Sequence, residues 1–426
     1  MAESSKYPNL DAESAPFSSE ASLPTVNKRF VVLYTLAFMS TILLFLAPML
    51  GTLALKINAL VGLEQAPNNL ALVAGLGAVL AIFANPFFGM LSDRTTLPFG
   101  RRRTWMLIGL VGGSFGVLVV ALAPSIPFVL LGWCVAQVGF NALMAAIAAV
   151  LPDQVPPSQR GSVAGILGVC VPIASVIAAG LIALFSANQL AMFMVPCGLA
   201  GVFIVLFAVV LKDSRDSVPA RLSVKTIAGA FYLSPRTHPD FAWVFASRFL
   251  LVLAYSFLST FLAYFLLAQL RSAERDVPGQ ILLGTMIQSA VVVVASVTGG
   301  KLSDWTGRRK AFVVAASVVY GIGMFAIALA ADLTMFLVAM GIAGLGFGIY
   351  LAVDLALVVD VLPKDDQAAT RLGILNIASA LPSSIAPALA PAILLIAGGS
   401  YSALYTVAGV SALLGAAAVL PVRGAR

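Results

Sequence analysis

Twelve apolar segments, each about as long as a membrane-crossing helix, dominate the chain and restrict its fold. A helix needs about 20 predominantly apolar residues to cross the hydrocarbon core of a bilayer. The segments run over residues 30–55, 69–91, 104–123, 126–151, 163–185, 190–211, 241–270, 281–300, 311–330, 334–361, 373–397 and 402–420. They differ from the roughly 10-residue alternating segments of a membrane β-barrel. The sequence therefore predicts an all-α integral membrane protein with twelve transmembrane helices, numbered spans 1 to 12.

Composition excludes the main alternatives. Hydrophobic residues make up 60% of the chain and charged residues 10%, whereas a soluble domain carries about 25% charged residues. An ordinary soluble enzyme and a disordered protein are both incompatible with these values. The three cysteines, Cys134, Cys170 and Cys197, lie inside apolar segments and lack metal-ligand spacing. We predict packing roles for them, and neither a metal nor a cofactor.

Basic residues predict the orientation. With the N-terminus on one side, that side receives 21 of the 25 Lys and Arg residues, while the other receives Lys56, Arg271 and Arg275, and Arg248 lies within a span. Loops rich in Lys and Arg stay in the cytoplasm. The net charge of +7 therefore reflects membrane orientation and not a nucleic-acid surface. We predict a multi-pass protein of the cell membrane with both termini in the cytoplasm.

The two halves of the chain repeat each other. Residues 89–94 read Gly-Met-Leu-Ser-Asp-Arg and residues 300–305 read Gly-Lys-Leu-Ser-Asp-Trp, each followed by a basic block. An offset of 211 residues also relates Pro152 to Pro363 and Arg160 to Arg371. Six spans per half make this a parallel repeat. The predicted regions are a disordered cytoplasmic tail (1–28), two six-helix bundles (29–211 and 241–421), a central cytoplasmic loop (212–240) and a short tail (422–426).

The central loop allows two interpretations, an interfacial amphipathic helix or a plain linker. It contains the single histidine, His238, to which we assign a loop role.

The string from Gly89 to Arg94, followed by Gly100-Arg-Arg-Arg103, resembles the loop 2–3 signature of the major facilitator superfamily, Gly-x-x-x-Asp-Arg-x-Gly-Arg-Arg. It departs from that signature by a longer spacer (95–99), and Trp305 replaces the Arg in the second copy. The resemblance implies two pseudo-symmetric bundles around a central cavity, and a monomer that transports a solute by alternating access.

The signature residues predict either a gate or an anchor for orientation. Asp93 lies at the C-terminal end of a helix, where the helix dipole disfavours an anion, so a positive group must compensate it. Gly89 would let that partner approach. The resemblance implies that this latch is the cytoplasmic gate. The candidate gate residues are Gly89, Asp93, Arg94, Arg101, Arg102, Asp153 and Arg160, with Asp304, Arg308, Arg309 and Arg371 in the second half.

Two charges lie within spans and are the candidate coupling residues. Asp354 on span 10 and Arg248 on span 7 are each eight residues from a span end, roughly 12 Å deep. Charges inside a membrane are functional candidates. We predict an ion pair, either static or able to exchange a proton. A sodium site would need a cluster of oxygen ligands, so proton coupling is favoured, with a uniporter left open.

Other polar residues within the spans contact either solute or neighbouring helices. These candidates are Gln137, Asn141, Tyr255, Gln288, Tyr350 and Asn376, and the resemblance implies a cavity lined by spans 1, 4, 7 and 10. Lys56 is expected to reach the interface or to form an outer gate with Glu64. The glycines of residues 341–348 indicate close helix packing and not a nucleotide loop.

The predicted function is secondary transport of a small organic solute, coupled to protons. The long spacer at 95–99 is similar to that of sucrose transporters and glycoside–cation symporters, which favours sugar-like symport. The alternative is proton-antiport efflux of drugs or secondary metabolites, although Pro172 lacks the preceding Gly that such antiporters show in span 5. A membrane enzyme or a receptor is a remote alternative, and no set of nucleophile, base and metal ligands is present in the sequence.

Overall fold

The structure is a computed structural model that describes residues 25–213, 239–361 and 368–422. Helices dominate these residues, and no strand occurs among them. Ten helices are long and apolar enough to cross a membrane, a shorter apolar helix covers Leu381–Ile396, and the first of the ten, Lys28–Asp93, contains two crossings. The described residues thus contain the twelve predicted spans. The first tail, most of the central loop and the last four residues lie outside the described residues.

The first six spans are formed by helices of the N-terminal half. Span 1 comprises Lys28–Ala47, a π-helical turn at Pro48–Thr52 and the start of Leu53–Asp93, and span 2 is the remainder of that helix. Spans 3, 4 and 6 are Arg101–Leu122, Ile126–Gln154 and Gln189–Val210. Span 5 is divided into Pro157–Gly168 and Cys170–Leu184.

The last six spans repeat this order. Span 7 is Pro239–Tyr264 with a π-helical turn at Phe265–Gln269, and spans 8 and 9 are Val277–Thr306 and Arg309–Ala328. Spans 10, 11 and 12 are Leu333–Val361, Ala368–Ile396 and Tyr401–Val419. Span 11 contains three prolines, Pro382, Pro387 and Pro391, which remove backbone donors and weaken a helix locally.

Gly62 separates the first two spans. Its φ of 73° lies in the left-handed region, which glycine adopts without steric cost. The helix therefore continues beyond residue 55, where the sequence predicts the end of span 1, and reverses direction only at Gly62.

Glycines bring neighbouring helices close together within each half. An added Cβ at Gly116 or Gly132 would collide with the facing helix, which joins spans 3 and 4. Gly346 stands against the Tyr320 backbone on span 9, and Gly344 and Gly348 stand against span 8. The packing role predicted for residues 341–348 is confirmed.

The two halves meet mainly where span 2 packs on span 11 and span 5 packs on span 8. We call the end of the bundle that carries residues 101–103 and 308–310 the basic face, and the other end the opposite face. Two hydrogen bonds between the halves lie at the opposite face: Tyr264 Oη donates to Ala54 O (3.1 Å), and Asn58 Nδ2 donates to Glu274 Oε1 (3.0 Å). These contacts join the halves at that end.

Candidate functional site

A buried ion pair joins three spans of the C-terminal half. Arg248 Nη1 on span 7 donates to Asp354 Oδ2 on span 10 at 2.7 Å, and Arg248 Nε donates to Ser379 Oγ on span 11 at 2.8 Å. Asp354 is only 6% exposed. A buried charge is tolerated when it is paired and hydrogen-bonded, and both conditions hold here. The predicted pair is present in the structure.

The pair lies on the basic-face side of the midpoint of span 10 as the structure describes it. Span 10 runs from Leu333 to Val361, so its midpoint is residue 347. Asp354 lies seven residues beyond that midpoint, about 10 Å towards the basic face. The predicted depth of Asp354, roughly 12 Å from the end of the span, stays a prediction.

Aromatic rings lie next to the ion pair. Tyr350, one helical turn before Asp354, is buried, and its hydroxyl lies beside the carboxylate without reaching hydrogen-bond geometry. The ring of Tyr255 stacks on that of Phe347 with centroids 4.6 Å apart and planes 4° apart, which links spans 7 and 10. Tyr350 thus lies beside the coupling pair, and Tyr255 is connected to it through Phe347, whose ring centroid is 6.4 Å from that of Tyr350.

The predicted amides of span 4 contact each other and span 2. Asn141 Nδ2 donates to Gln137 O at 2.8 Å and to Gln137 Oε1 at 3.2 Å, and Asn85 Nδ2 donates to Asn141 Oδ1 at 3.4 Å. Both span 4 residues are buried. Among the described residues, Asn141 makes the bond between helices that the sequence left open as an alternative role, whereas Gln137 bonds Asn141 within span 4.

Gln288 on span 8 stands apart from these groups. Its backbone carbonyl lies against Gly344 of span 10, and its Nε2 is buried without a hydrogen bond among the residues that the structure describes. The side chain of Asn376, like that of Arg371, lies outside the described part of the molecule.

A second charged cluster lies at the basic face of the N-terminal half. The guanidinium of Arg102 bonds Asp93 Oδ1 on span 2 at 2.5 Å and Asp153 Oδ2 on span 4 at 2.8 Å, and Arg101 also reaches Asp153 Oδ2 at 2.9 Å. Arg102 is 5% exposed, whereas the side chain of Asp93 is 51% exposed. One buried arginine therefore ties spans 2, 3 and 4 together, and we call these four residues the basic-face cluster.

Asp213, at the end of span 6, supports this cluster. Its Oδ2 accepts hydrogen bonds from the backbone N–H groups of Arg102 (2.7 Å) and Arg103 (2.9 Å), where the start of span 3 is positive. Gly100 has φ +100°, and an added Cβ there would collide with the Asp213 carboxylate. Asp213 was not identified from the sequence, although an acid soon after an apolar span near a basic block is a usable signal.

The remaining gate candidates of this half do not join the cluster through ion pairs. Arg160 donates to the carbonyls of Val155 (2.8 Å) and Pro152 (2.9 Å) at the end of span 4. Arg94 is exposed, and no ion pair forms between it and any described residue. The close approach predicted at Gly89 is absent from this structure, because a Cβ there would meet no described atom within 4 Å, and it stays a prediction for the state in which the gate is closed. The basic-face end of span 2 is unpacked at that position.

The second half lacks an equivalent cluster among the described residues. Asp304 and Arg308 are exposed, and neither has an ion-pair partner in the described ranges, whereas Arg309 is half-buried and engaged. The offset of 211 pairs Asp153 with Lys364, which two acids, Asp365 and Asp366, follow directly in the sequence, and all three lie outside the described residues.

Lys56 is buried at the ends of spans 3 and 6, and the predicted outer gate with Glu64 is not formed in this structure. Its ammonium is buried and donates to Ala121 O and to Gln189 Oε1, both at 2.9 Å, while Glu64 is exposed. Because span 1 continues to Gly62, Lys56 lies inside the helix and points to spans 3 and 6. The contacts that do join the halves at the opposite face, Tyr264–Ala54 and Asn58–Glu274, were not found from the sequence.

Within the described ranges, no group of three His, Cys, Asp or Glu residues is placed to hold a metal ion. The three cysteines are free thiols, and Cys170 and Cys197 are buried within spans. His238 lies outside the described residues.

Known proteins share this architecture. Over 92% of this chain, the structure matches a mutant of the nucleoside transporter NupG, with a TM-score of 0.74, 13% identity and 99% of that chain covered. Over the same share of this chain, it matches a POT family transporter in complex with a thioalcohol-conjugated peptide, with a TM-score of 0.72, 13% identity and 96% of that chain covered. It also matches a bacterial homologue of the human lysosomal transporter Spinster in an inward-facing and occupied conformation, with a TM-score of 0.69, 16% identity, and 92% of this chain and 96% of that chain covered. No curated protein matches the sequence significantly. The sequence model of the Major Facilitator Superfamily matches residues 30–305 and 276–425. The chain is therefore a multi-pass membrane transporter, not an enzyme, and it belongs to the Major Facilitator Superfamily.

Proposed function

We propose that this protein moves a small organic solute across the cell membrane by alternating access, coupled to protons, with sugar- or glycoside-like symport favoured. The protein acts as a monomer with both termini in the cytoplasm, so the basic face is the cytoplasmic face. The skewed distribution of Lys and Arg supports this orientation.

The Arg248–Asp354 pair is the observation that carries the proposed proton coupling. Loss of hydration favours the neutral form of a buried carboxyl group, and an adjacent cation favours the charged form. A change in the distance between spans 7 and 10 alters this balance, so the carboxylate can take up a proton in one state and release it in the other. The bond from Arg248 to Ser379 gives the guanidinium a second partner when Asp354 is protonated.

Protons fit this site better than sodium. A sodium ion would need several oxygen ligands around it. Here Tyr350 lies beside Asp354 and Ser379 accepts a hydrogen bond from Arg248, so both share the site with the positive charge of that arginine. A guanidinium at 2.7 Å repels a second cation.

The basic-face cluster is the proposed cytoplasmic gate. It fixes spans 2, 3 and 4 as one unit, while the two hydrogen bonds that we describe between the halves lie at the opposite face. This arrangement supports an inward-facing state in which Asp93 is half exposed and available to a partner on span 11. In the outward-facing state, Asp93 and Gly89 would contact that span.

The solute is proposed to be polar and neutral. Asn85, Gln137 and Asn141 offer amide groups on spans 2 and 4, and the stacked pair of Tyr255 and Phe347 offers a ring face across the bundle. Amide groups that hydrogen-bond hydroxyls, together with an aromatic face, suit the binding of a hydroxyl-rich sugar ring. The structural neighbours that are named for nucleosides and peptides also carry polar organic solutes. Efflux of drugs or secondary metabolites is the second candidate, because spans 7 and 10 are also rich in apolar side chains.

A solute panel in proteoliposomes tests the proposal directly. The purified protein is reconstituted with a pH indicator in the lumen, and sucrose, other glycosides, nucleosides, dipeptides and cationic drugs are added outside in turn. Symport of the right solute acidifies the lumen, because protons enter with it. Antiport makes the lumen alkaline. Solute uptake without any pH change would contradict proton coupling.

The Asp354→Asn variant then tests whether Asp354 couples transport of the solute to protons. We expect it to abolish pH-driven accumulation while exchange of solute without a gradient persists. Asp332→Asn is the matched control, an exposed acid at the other end of span 10 that accepts the Met335 N–H at 2.8 Å, as an Asn side chain can also do. If the pair is only structural, Asp354→Asn destabilises the protein and adding Arg248→Gln restores it. A double variant that regains both thermal stability and pH-driven accumulation would remove Asp354 from the coupling mechanism.

A further inference from the structure

A groove runs between spans 1 and 6 on the outer surface of the bundle, beginning at the basic face. It has a volume of about 360 Å³ and is lined by Lys28, Arg29, Val32, Leu33, Leu206 and Val210. This size falls within the range of about 300–1,000 Å³ that is typical of ligand sites. It lies on the outer surface, away from the ion pair and the basic-face cluster.

The groove has a polar mouth and an apolar floor. Lys28 and Arg29 are the first two residues of span 1 and are exposed, and Val210 is the last residue of span 6. Val32 and Leu206 lie one turn deeper and are exposed at 56% and 49%. The lining contains no carboxylate. The groove therefore starts at the headgroup level and descends into the hydrocarbon region.

Both walls are held in place. The rings of Phe30 and Tyr34 on span 1 pack on Phe207 of span 6, with centroids 5.6 and 5.4 Å away. The mouth is fixed as well, because Asn27 Oδ1 accepts the Phe30 N–H and Val26 N–H donates to Gln159 Oε1, both at 2.8 Å. The groove is thus a feature of packed helices and not a gap left by loose packing.

The positive charge at the mouth of the groove indicates that its ligand is an anion. Two exposed cations stand at the positive N-terminal end of span 1, and Lys212, which is also exposed, follows span 6 at the same level. The nearby acid, Asp213, is occupied by the backbone N–H groups of span 3. Basic pockets between transmembrane helices suit anionic lipid headgroups. We infer that this groove binds an anionic glycerophospholipid, with its phosphate against Lys28 and Arg29 and an acyl chain along Val32 and Leu206.

Lipid retention by the full-length purified protein tests this inference. Native mass spectrometry compares phosphatidylglycerol with phosphatidylcholine of the same acyl chains. The wild-type protein should retain phosphatidylglycerol preferentially. Lys28→Gln combined with Arg29→Gln should weaken that binding about thirtyfold. Lys301→Gln, which removes an exposed cation from the same face outside the groove, should leave it unchanged.

A second variant tests the groove without changing any charge. Leu206→Trp should fill the groove and reduce retention of phosphatidylglycerol, while Val209→Trp, at an exposed position of the same helix outside the lining, should not. The inference is overturned if the double Gln variant retains phosphatidylglycerol like wild type, since the cations would then serve orientation alone. It is also overturned if Leu206→Trp has no effect, or if inorganic phosphate displaces the lipid, since the site would then bind free phosphate.

Discussion

Tyr264 and Ala54 join the two halves of the transporter at the face opposite the basic loops. The Tyr264 hydroxyl on span 7 donates to the Ala54 carbonyl on span 1 at 3.1 Å, and both residues are buried. Because the bond must break when the halves separate at that face, it contributes to the balance between the two states. A single neutral hydrogen bond contributes about 0.5–1.5 kcal/mol.

Tyr264→Phe should therefore shift the protein towards the state that is open at the opposite face. A loss of that size changes the ratio of the two states about two- to tenfold. Distances between spin labels at Gln65→Cys and Arg275→Cys, both exposed at that face, would report the shift in a background without the native cysteines.

Tyr405→Phe is the control for that measurement. Tyr405 is fully buried in the same half, and its hydroxyl makes no hydrogen bond to the described residues. We expect the spin-label distances in the Tyr405→Phe variant to match those in the labelled protein that retains Tyr405. Equal distributions for Tyr264→Phe and Tyr405→Phe would show that the bond to Ala54 does not affect the equilibrium.

Asp93→Asn should impair transport while protein level and solute binding survive. The half-exposed ion pair with Arg102 is worth up to about 1 kcal/mol, so we expect the equilibrium between states to change up to about fivefold. Asp332→Asn is the matched control, since this acid is exposed at the opposite face, is not a gate candidate and accepts the Met335 N–H, as an Asn side chain can also do. Wild-type transport by a well-expressed Asp93→Asn variant would contradict the proposed gate.

Hydropathy and the internal repeat predict most of the fold. Each apolar run, and each copy of the repeated motif, is recognised from residues that are near one another in the sequence. The twelve spans follow from the length of apolar runs. The 211-residue offset and the basic block also predict that Asp93, Arg102 and Asp153 lie at one face. The Arg248–Asp354 pair is predictable for a related reason, since few partners exist for a charge inside a membrane.

Contacts that depend on helix rotation and exact helix ends are not predictable in this way. The prediction for Lys56 fails because the apolar run stops near residue 55 while the helix continues to Gly62. The contact between Asp153 and Arg102 depends on how spans 3 and 4 are rotated, which only tertiary packing decides. Asp213 was missed because its partners are backbone N–H groups, and a sequence does not reveal which helix start an acid will face.

Asp213→Ala should destabilise the protein by removing the acceptor of two N–H groups at the start of span 3. Loss of a helix cap costs about 0.5–2 kcal/mol, which should appear as a lower melting temperature of the detergent-solubilised protein. Asp276→Ala is the comparison, because Asp276 precedes span 8 without a side-chain cap. A melting temperature for Asp213→Ala as high as that for Asp276→Ala would refute the capping role.

Lys56→Met should also destabilise the protein, although it removes a buried charge. The ammonium satisfies the Ala121 carbonyl in the last turn of span 3 and the Gln189 amide at the start of span 6, and the C-terminal end of a helix favours a cation. Methionine matches much of the lysine stem but leaves both acceptors without this donor, at about 1–3 kcal/mol for an unsatisfied buried group. Lys56→Met combined with Gln189→Leu removes one of the stranded groups and should recover part of the loss in melting temperature. Since buried charges are costly to maintain, the opposite result is informative: if Lys56→Met alone melts at or above the wild-type temperature, the ammonium does not stabilise the contact among spans 1, 3 and 6.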